Sequence, residues 1–126
     1  MKLVIAIIQP TKLNAVREAL EKIEVQRMTV CDAQGFGPHR ERAGGLHAGI
    51  HQLGGGAFSS GEGFDLIREI ILEIVVNDDF LERTIETICT VGRTGPDGKL
   101  GDGKIMVMPA DDIIVVNDAS RGPGAV

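Results

Sequence analysis

The stretch Gly98–Lys104, GKLGDGK, carries the clearest chemical pattern in the 126-residue chain. Gly101 and Gly103 free backbone N–H groups to line a concavity and Lys104 adds a cation, which together are the physical parts of a phosphate site. The segment matches the first seven positions of the P-loop pattern. It departs from that pattern at Ile105, where Ser or Thr belongs, and a strand follows in place of a helix. No helix N-terminus is therefore offered to an anion. On these residues alone the segment fits both a phosphate cradle and a plain glycine-rich hairpin turn.

A second glycine-rich stretch, Gly35–Asp65, contains all three histidines. His47 and His51 are four apart, which on a helical turn would bring both imidazoles to one side. His39, Glu62 or Asp65 would then complete a site for a divalent metal. The same composition also suits an ordinary solvated loop. Arg40 and Arg42 either favour a small anion such as bicarbonate or form a charged patch that meets a partner. No Ser-His-Asp or Cys-His pattern with a plausible scaffold supports catalysis.

These segments need elements to hold them. "KLVIAII", Lys2–Ile8, is short and β-branched and predicts a buried strand. Leu13, Val16, Ala19, Leu20 and Ile23 recur at helical spacing, predicting a helix over about 12–22 with Thr11 as its N-cap. Val25–Gly37 alternates as a strand, with Met28 and Val30 on one face. Leu66–Val76 predicts a long third strand. Phe80, Leu81, Thr84, Ile85, Ile88 and Cys89 form the stripe of a second helix ending near Gly92, and Ile105–Pro109 a last strand. This βαββαβ order predicts an α+β, ferredoxin-like split βαβ fold: an antiparallel sheet with two helices on one face. The opposite face, also apolar, calls for self-association.

Composition narrows the function classes. Length suits one domain spanning 1–126, with a long flexible loop at about 37–65 and a flexible tail at about 117–126. A net charge of −5 with no Trp or Tyr argues against nucleic-acid binding. Cys31 and Cys89 read as buried free thiols, which suits a cytoplasmic protein. No run approaches the length of a membrane span.

Three segments in order, "MKLVIAIIQPTKLNAVREAL", "QRMTVCDAQGFG" and "RTG…GKLGDGKIMVMP", resemble the PII signal-transduction family from Met1 to about Val116. The resemblance implies a non-catalytic homotrimer that binds adenine nucleotides between subunits. Its long loop would regulate a transporter or enzyme of nitrogen or carbon metabolism. Ile7, Gly35, Phe36, Gly37 and Val75 would surround the nucleotide on one subunit, with Met28 and Thr29 from its neighbour. Gly101, Asp102, Gly103 and Lys104 would meet the phosphates, in a loop lengthened here at Gly95-Pro96-Asp97. Mg or another divalent metal would accompany the nucleotide. Relatives in carbon assimilation suggest a bicarbonate response, and those beside metal-efflux systems a metal response.

The chain also departs from the family pattern. Val115 and Asn117 stand where two arginines meet the terminal phosphates, and each lost charge-assisted hydrogen bond is worth about 1.5–3 kcal/mol. ADP or AMP is therefore expected over ATP, unless Arg121 or a loop arginine compensates. Pro38-His39 replaces Arg-Gln. Glu69, beside Arg68, replaces a lysine just before the third strand and would repel the dianion 2-oxoglutarate. Arg27 replaces a glycine and is either a cleft cation or a surface residue. With no Tyr, tyrosine modification is ruled out, which leaves Ser59 and Ser60 by position.

Overall fold

The β-branched N-terminal run forms β1, Lys2–Ile8, in which Val4, Ala6 and Ile8 are buried while Leu3, Ile5 and Ile7 are only half-buried. This period of two assigns one side of the strand to the core and the other to a separate surface. The structure, a computed structural model, describes residues 1–38 and 64–126.

Pro10 opens a short 3-10 turn over Pro10–Lys12, and α1 follows at Leu13–Lys22. Thr11 therefore lies inside that turn and caps nothing; Lys12 occupies the cap position and makes no side-chain cap bond. Proline is suited to the first position of such a turn, which displaces the helix start by one residue. Helix α1 buries Val16 and Leu20. It closes where the amides of Ile23 and Val25 both donate to the Leu20 carbonyl and Glu24 takes a φ of 67°.

That left-handed turn delays the next strand. β2 runs Thr29–Pro38 in place of the expected start at Val25, and β3 runs Phe64–Val76. Met28 lies before the ladder and packs partly buried against the core, whereas Val30 remains 45% exposed. A 3-10 turn at Asp78–Phe80 leads into α2, Leu81–Gly92, which buries Thr84, Ile88 and Gly92. β4 spans Gly103–Pro109. The sheet order is β2-β3-β1-β4 with every pair antiparallel, the ferredoxin-like arrangement that the element order predicts.

The core lies between helices and sheet, where Val16, Leu20 and Ile88 meet Val4, Ala6, Ile8, Ile70, Leu72, Ile74 and Val76. Truncating a fully buried side chain such as Leu20 to alanine would cost about 2–5 kcal/mol. The register sets the other face as Leu3, Ile5 and Ile7 of β1, Glu69, Ile71, Glu73 and Val75 of β3, and Lys104, Met106 and Met108 of β4. Thr29, Cys31, Ala33 and Gly35 of β2 join it.

Two further expectations change. Neither thiol is buried in the single chain: Cys31 is half-buried on the uncovered face, and Cys89, at the edge of the α2 stripe, is exposed. The segment after β4, for which a flexible end is expected, folds back on the body. An isolated bridge joins Ile114 to Arg121, Gly122–Ala125 forms a 3-10 turn and Ala125 is buried.

Candidate functional site

Ile7 and Lys104 are direct cross-strand partners on the uncovered face, and Ile7 also pairs with Ile71. Gly35 is paired with Ile67 of β3, four residues along that strand from Ile71, about 13 Å at strand rise. The β2–β3 ladder continues through Phe36↔Leu66 and Gly37↔Asp65 to Pro38↔Phe64, the root of segment 39–63. His47 and His51, together with His39, Arg40, Arg42, Ser59, Ser60 and Glu62, lie outside the described residues.

Val75 stands elsewhere. It is level with Leu3, four residues along the strand from the Ile7 level, which is about 13 Å at strand rise. Thr29 pairs with Glu73, making it the diagonal neighbour of Val75, and Met28 precedes it. Along the uncovered face these residues therefore fall into three groups: Ile7 with Gly101–Lys104 in the middle, Gly35 and Gly37 toward the root of segment 39–63, and Met28, Thr29 and Val75 toward the other end.

The loop from Arg93 to Gly103 is built on glycines with positive φ, at Gly95, Gly98, Gly101 and Gly103. Gly103 is obligatory, since an added Cβ would stand 1.8 Å from the Ile7 carbonyl oxygen. At Gly101, by contrast, nothing lies within 4 Å of that position, so its backbone faces open space. Lys104 is exposed and takes part in no ion pair among the described residues, whereas Arg17, Arg68 and Arg121 each hold a carboxylate. Exposed glycine backbone beside an unpaired cation is a surface on which a phosphate can be received.

Asp102 faces inward. Its Oδ2 accepts from the amides of Thr94 at 2.9 Å and Lys99 at 2.7 Å, and its Oδ1 from Thr94 Oγ1 at 2.6 Å and Gln9 Nε2 at 3.1 Å. Burial, the largest single influence, pushes the Asp102 carboxyl up. The Thr94 hydroxyl, the Lys99 and Thr94 amides and the charge of Lys12 together outweigh it and hold the group below its ordinary value. Gln9 also donates to the Gly101 carbonyl at 3.3 Å. Arg93 returns its guanidinium to the Cys89 and Pro96 carbonyls, and Lys12 donates to the Arg93 carbonyl. A cavity of about 420 Å³ opens beside this loop on the helix side, with Ile8, Ile85, Ile88 and Ile105 as apolar lining.

The sequence pattern singles out neither Gln9 nor Thr94, whose importance comes from tertiary hydrogen bonds. The only sequence signal for them was the presence of a carboxylate among glycines, which needs local donors. Glu69 lies inside β3, within the expected strand Leu66–Val76 and not before it, and its carboxyl stands 2.6 Å from where a Cβ on Gly35 would be. Arg68 points to the opposite face, paired with Asp32 at 2.8 Å, and so does not offset Glu69.

Of the candidate cations, Arg27 and Arg121 are engaged, while the loop arginines Arg40 and Arg42 lie outside the described residues. Arg121 pairs with Asp112 at 2.6 Å, and Arg27 Nη1 donates to the Ala125 carbonyl at 3.2 Å. Val115 and Asn117 belong to a turn, where the Val115 amide donates to Ser120 and the Ala119 amide to Val115. Among the described residues no group of three His, Cys, Asp or Glu side chains is arranged to hold a metal. No helix of the described residues is long and apolar enough to cross a membrane.

Residues 1–120 match the family described as Nitrogen regulatory protein P-II. The chain is 40% identical to Nitrogen regulatory protein GlnK1 of Methanosarcina mazei over 126 residues, covering all of this chain and 97% of the relative. It is 32% identical to Nitrogen regulatory protein P-II of Azospirillum brasilense and 33% to Nitrogen regulatory protein P-II 1 of Escherichia coli, in both cases over the full length of each chain. The chain therefore belongs to the P-II family of nitrogen regulatory proteins, which act in signal transduction and are not enzymes.

Proposed function

We propose that this P-II protein is a homotrimer that binds an adenine nucleotide between subunits and reports it to a partner through the segment at about 37–65. The partner is a transporter or enzyme of nitrogen or carbon metabolism. One observation carries the proposal: Ile7, the exposed Lys104 and the open backbone of Gly101 meet where β1 ends and β4 begins on the uncovered sheet face, on the side toward which β2 and β3 run on to that segment. A ligand held there that also reaches Gly35 and Gly37 on β2 would couple to the segment through its differential affinity.

Two further features support assembly. The uncovered face is apolar, with Met106 and Met108 exposed at its edge strand, and such a face is stabilised by a second copy. Met28 and Thr29 lie at the start of β2, an edge strand separated from β1 by β3, and a neighbouring chain would supply them.

Lys104 would hold the phosphates with the Gly101 and Gly103 backbone, while Ile7 packs beside the base and ribose. Mg would enter with the nucleotide phosphates, since Asp102 is saturated by its own loop. ADP or AMP is favoured over ATP, because Arg27 and Arg121 are committed elsewhere and Glu69 adds negative charge near Gly35. Calorimetry with AMP, ADP and ATP on the wild type and on Lys104→Ala tests this. Binding weakened by the substitution is expected; no binding of any of the three nucleotides to the wild type would falsify the proposal.

A further inference from the structure

A carboxylate offers about four lone-pair sites, and all four of Asp102 are occupied from within the chain. Thr94 N and Lys99 N fill Oδ2, and Thr94 Oγ1 and Gln9 Nε2 fill Oδ1. The donors come from both sides of the Gly95–Gly98 excursion and from the end of β1. Gln9 reaches further, to the Gly101 carbonyl. A Cβ at Gly98 would press on Asp102 Oδ2 at 3.2 Å, so glycine there admits the carboxylate. Four glycines with positive φ make this loop costly to order, and the hydrogen bonds to Asp102 are what fix it.

We infer that Asp102, with Thr94 and Gln9, is a latch that holds the lengthened loop in the shape presenting Gly101 and Lys104 outward, and is a ligand of neither phosphate nor metal. Asp102 is thus a positioning residue for the anion site, an inference that rests on the nucleotide proposal above. Its negative charge is held by two backbone amides and two side-chain donors, which lessens the repulsion the carboxylate exerts on a phosphate.

The variants separate the roles. In Asp102→Ala the loop loses all four anchors, and ADP affinity is expected to fall by about tenfold or more. Asp102→Asn can still present its oxygen to the Thr94 and Lys99 amides, while its NH2 faces the Thr94 hydroxyl, which can reverse, and the Gln9 amide, whose reversal gives up only the longer bond to the Gly101 carbonyl. It should stay within about threefold of wild type, equally with Mg and with EDTA. Thr94→Val should weaken ADP by a few-fold, and Thr94→Ser should restore it.

Calorimetry with ADP reads these affinities, and amide hydrogen exchange of Thr94 and Lys99 in the ligand-free protein reads the latch itself. Both amides should be protected in wild type and released in Asp102→Ala or, if that variant does not fold, slowed less in Thr94→Val. Wild-type ADP affinity in Asp102→Ala, or a loss in Asp102→Asn that appears only with Mg, would overturn the inference. So would unprotected Thr94 and Lys99 amides in wild type. Failure of wild type to bind any nucleotide while those amides remain protected would instead remove the nucleotide proposal and, with it, the positioning role, leaving a purely structural loop.

Discussion

Gly103 lies against Ile7 so closely that a side-chain carbon on Gly103 would stand 1.8 Å from the Ile7 carbonyl oxygen, with φ at 116°. The contact is backbone on backbone, so no rotamer change relieves it. This close approach is what lets β4 start pairing with β1 at the point where the Arg93–Gly103 loop ends.

Gly103→Ala should therefore destabilise the fold by at least about 2–3 kcal/mol, combining a clash with backbone strain. Gly101→Ala meets nothing within 4 Å and should cost only its left-handed backbone, about 1–2 kcal/mol. Urea unfolding of the two variants tests the difference, and equal losses would show that the Ile7 approach is not the constraint.

The sheet order was legible from periodicity because β1, α1, β3 and α2 each bury one regular face. The start of β2 was not, since Glu24 closes α1 in a left-handed conformation that a non-glycine residue does not advertise. The expected strand Leu66–Val76 already contains Glu69, but Phe64 and Asp65 join β3 through the extension of the β2–β3 ladder, which is a pairing property and not a local one. At the candidate site the glycines and Lys104 could be picked out by type, but the inward turn of Asp102 could not. Its donors sit at Gln9, Thr94 and Lys99, and distances in sequence as large as that from Gln9 carry no local pattern.

Thr84 is fully buried, yet its hydroxyl donates to the Phe80 carbonyl at 2.8 Å within its own helix. That carbonyl is also the natural acceptor of a helical amide, so removing the hydroxyl orphans no buried group. Thr84→Val should change stability by no more than about 0.5–1 kcal/mol, whereas Thr84→Ser, which deletes a buried methyl, should cost about 1 kcal/mol. A larger loss in the valine variant, measured by denaturant unfolding, would mean the hydroxyl has a further role.

Glu69 places its carboxyl against Gly35, next to the proposed phosphate position. Reversing that charge should favour the ligand with more negative charge. Glu69→Lys is expected to raise the affinity for ATP relative to ADP by about fivefold or more, with the effect shrinking as salt is added. Calorimetric titration at two ionic strengths tests it; an unchanged ratio would separate Glu69 from the terminal phosphate.

Among the described residues three carboxyl groups are held below their ordinary value of 3.8: Asp78, Asp102 and Asp118. Asp78 is lowered first by a hydrogen bond from the Met1 amino group, at 3.1 Å, and Asp118 by the Ser120 amide. For Asp102 the upward push of burial is the largest influence and is overcome by the Thr94 and Lys99 donors. A carboxyl whose folded value is depressed stabilises the fold fully above its unfolded value and loses that contribution as pH falls through the folded one. Stability should therefore decline as pH drops below about 3.8, and the local opening of the Arg93–Gly103 loop should share that decline through Asp102. Asp102→Asn, which cannot titrate, should flatten the part of the profile reported by the Thr94 and Lys99 amides while leaving the Asp78 and Asp118 contributions in place. Urea unfolding from pH 7 to pH 3, combined with amide exchange at those two positions, measures both. A loop profile identical in wild type and variant would detach the acid response from Asp102.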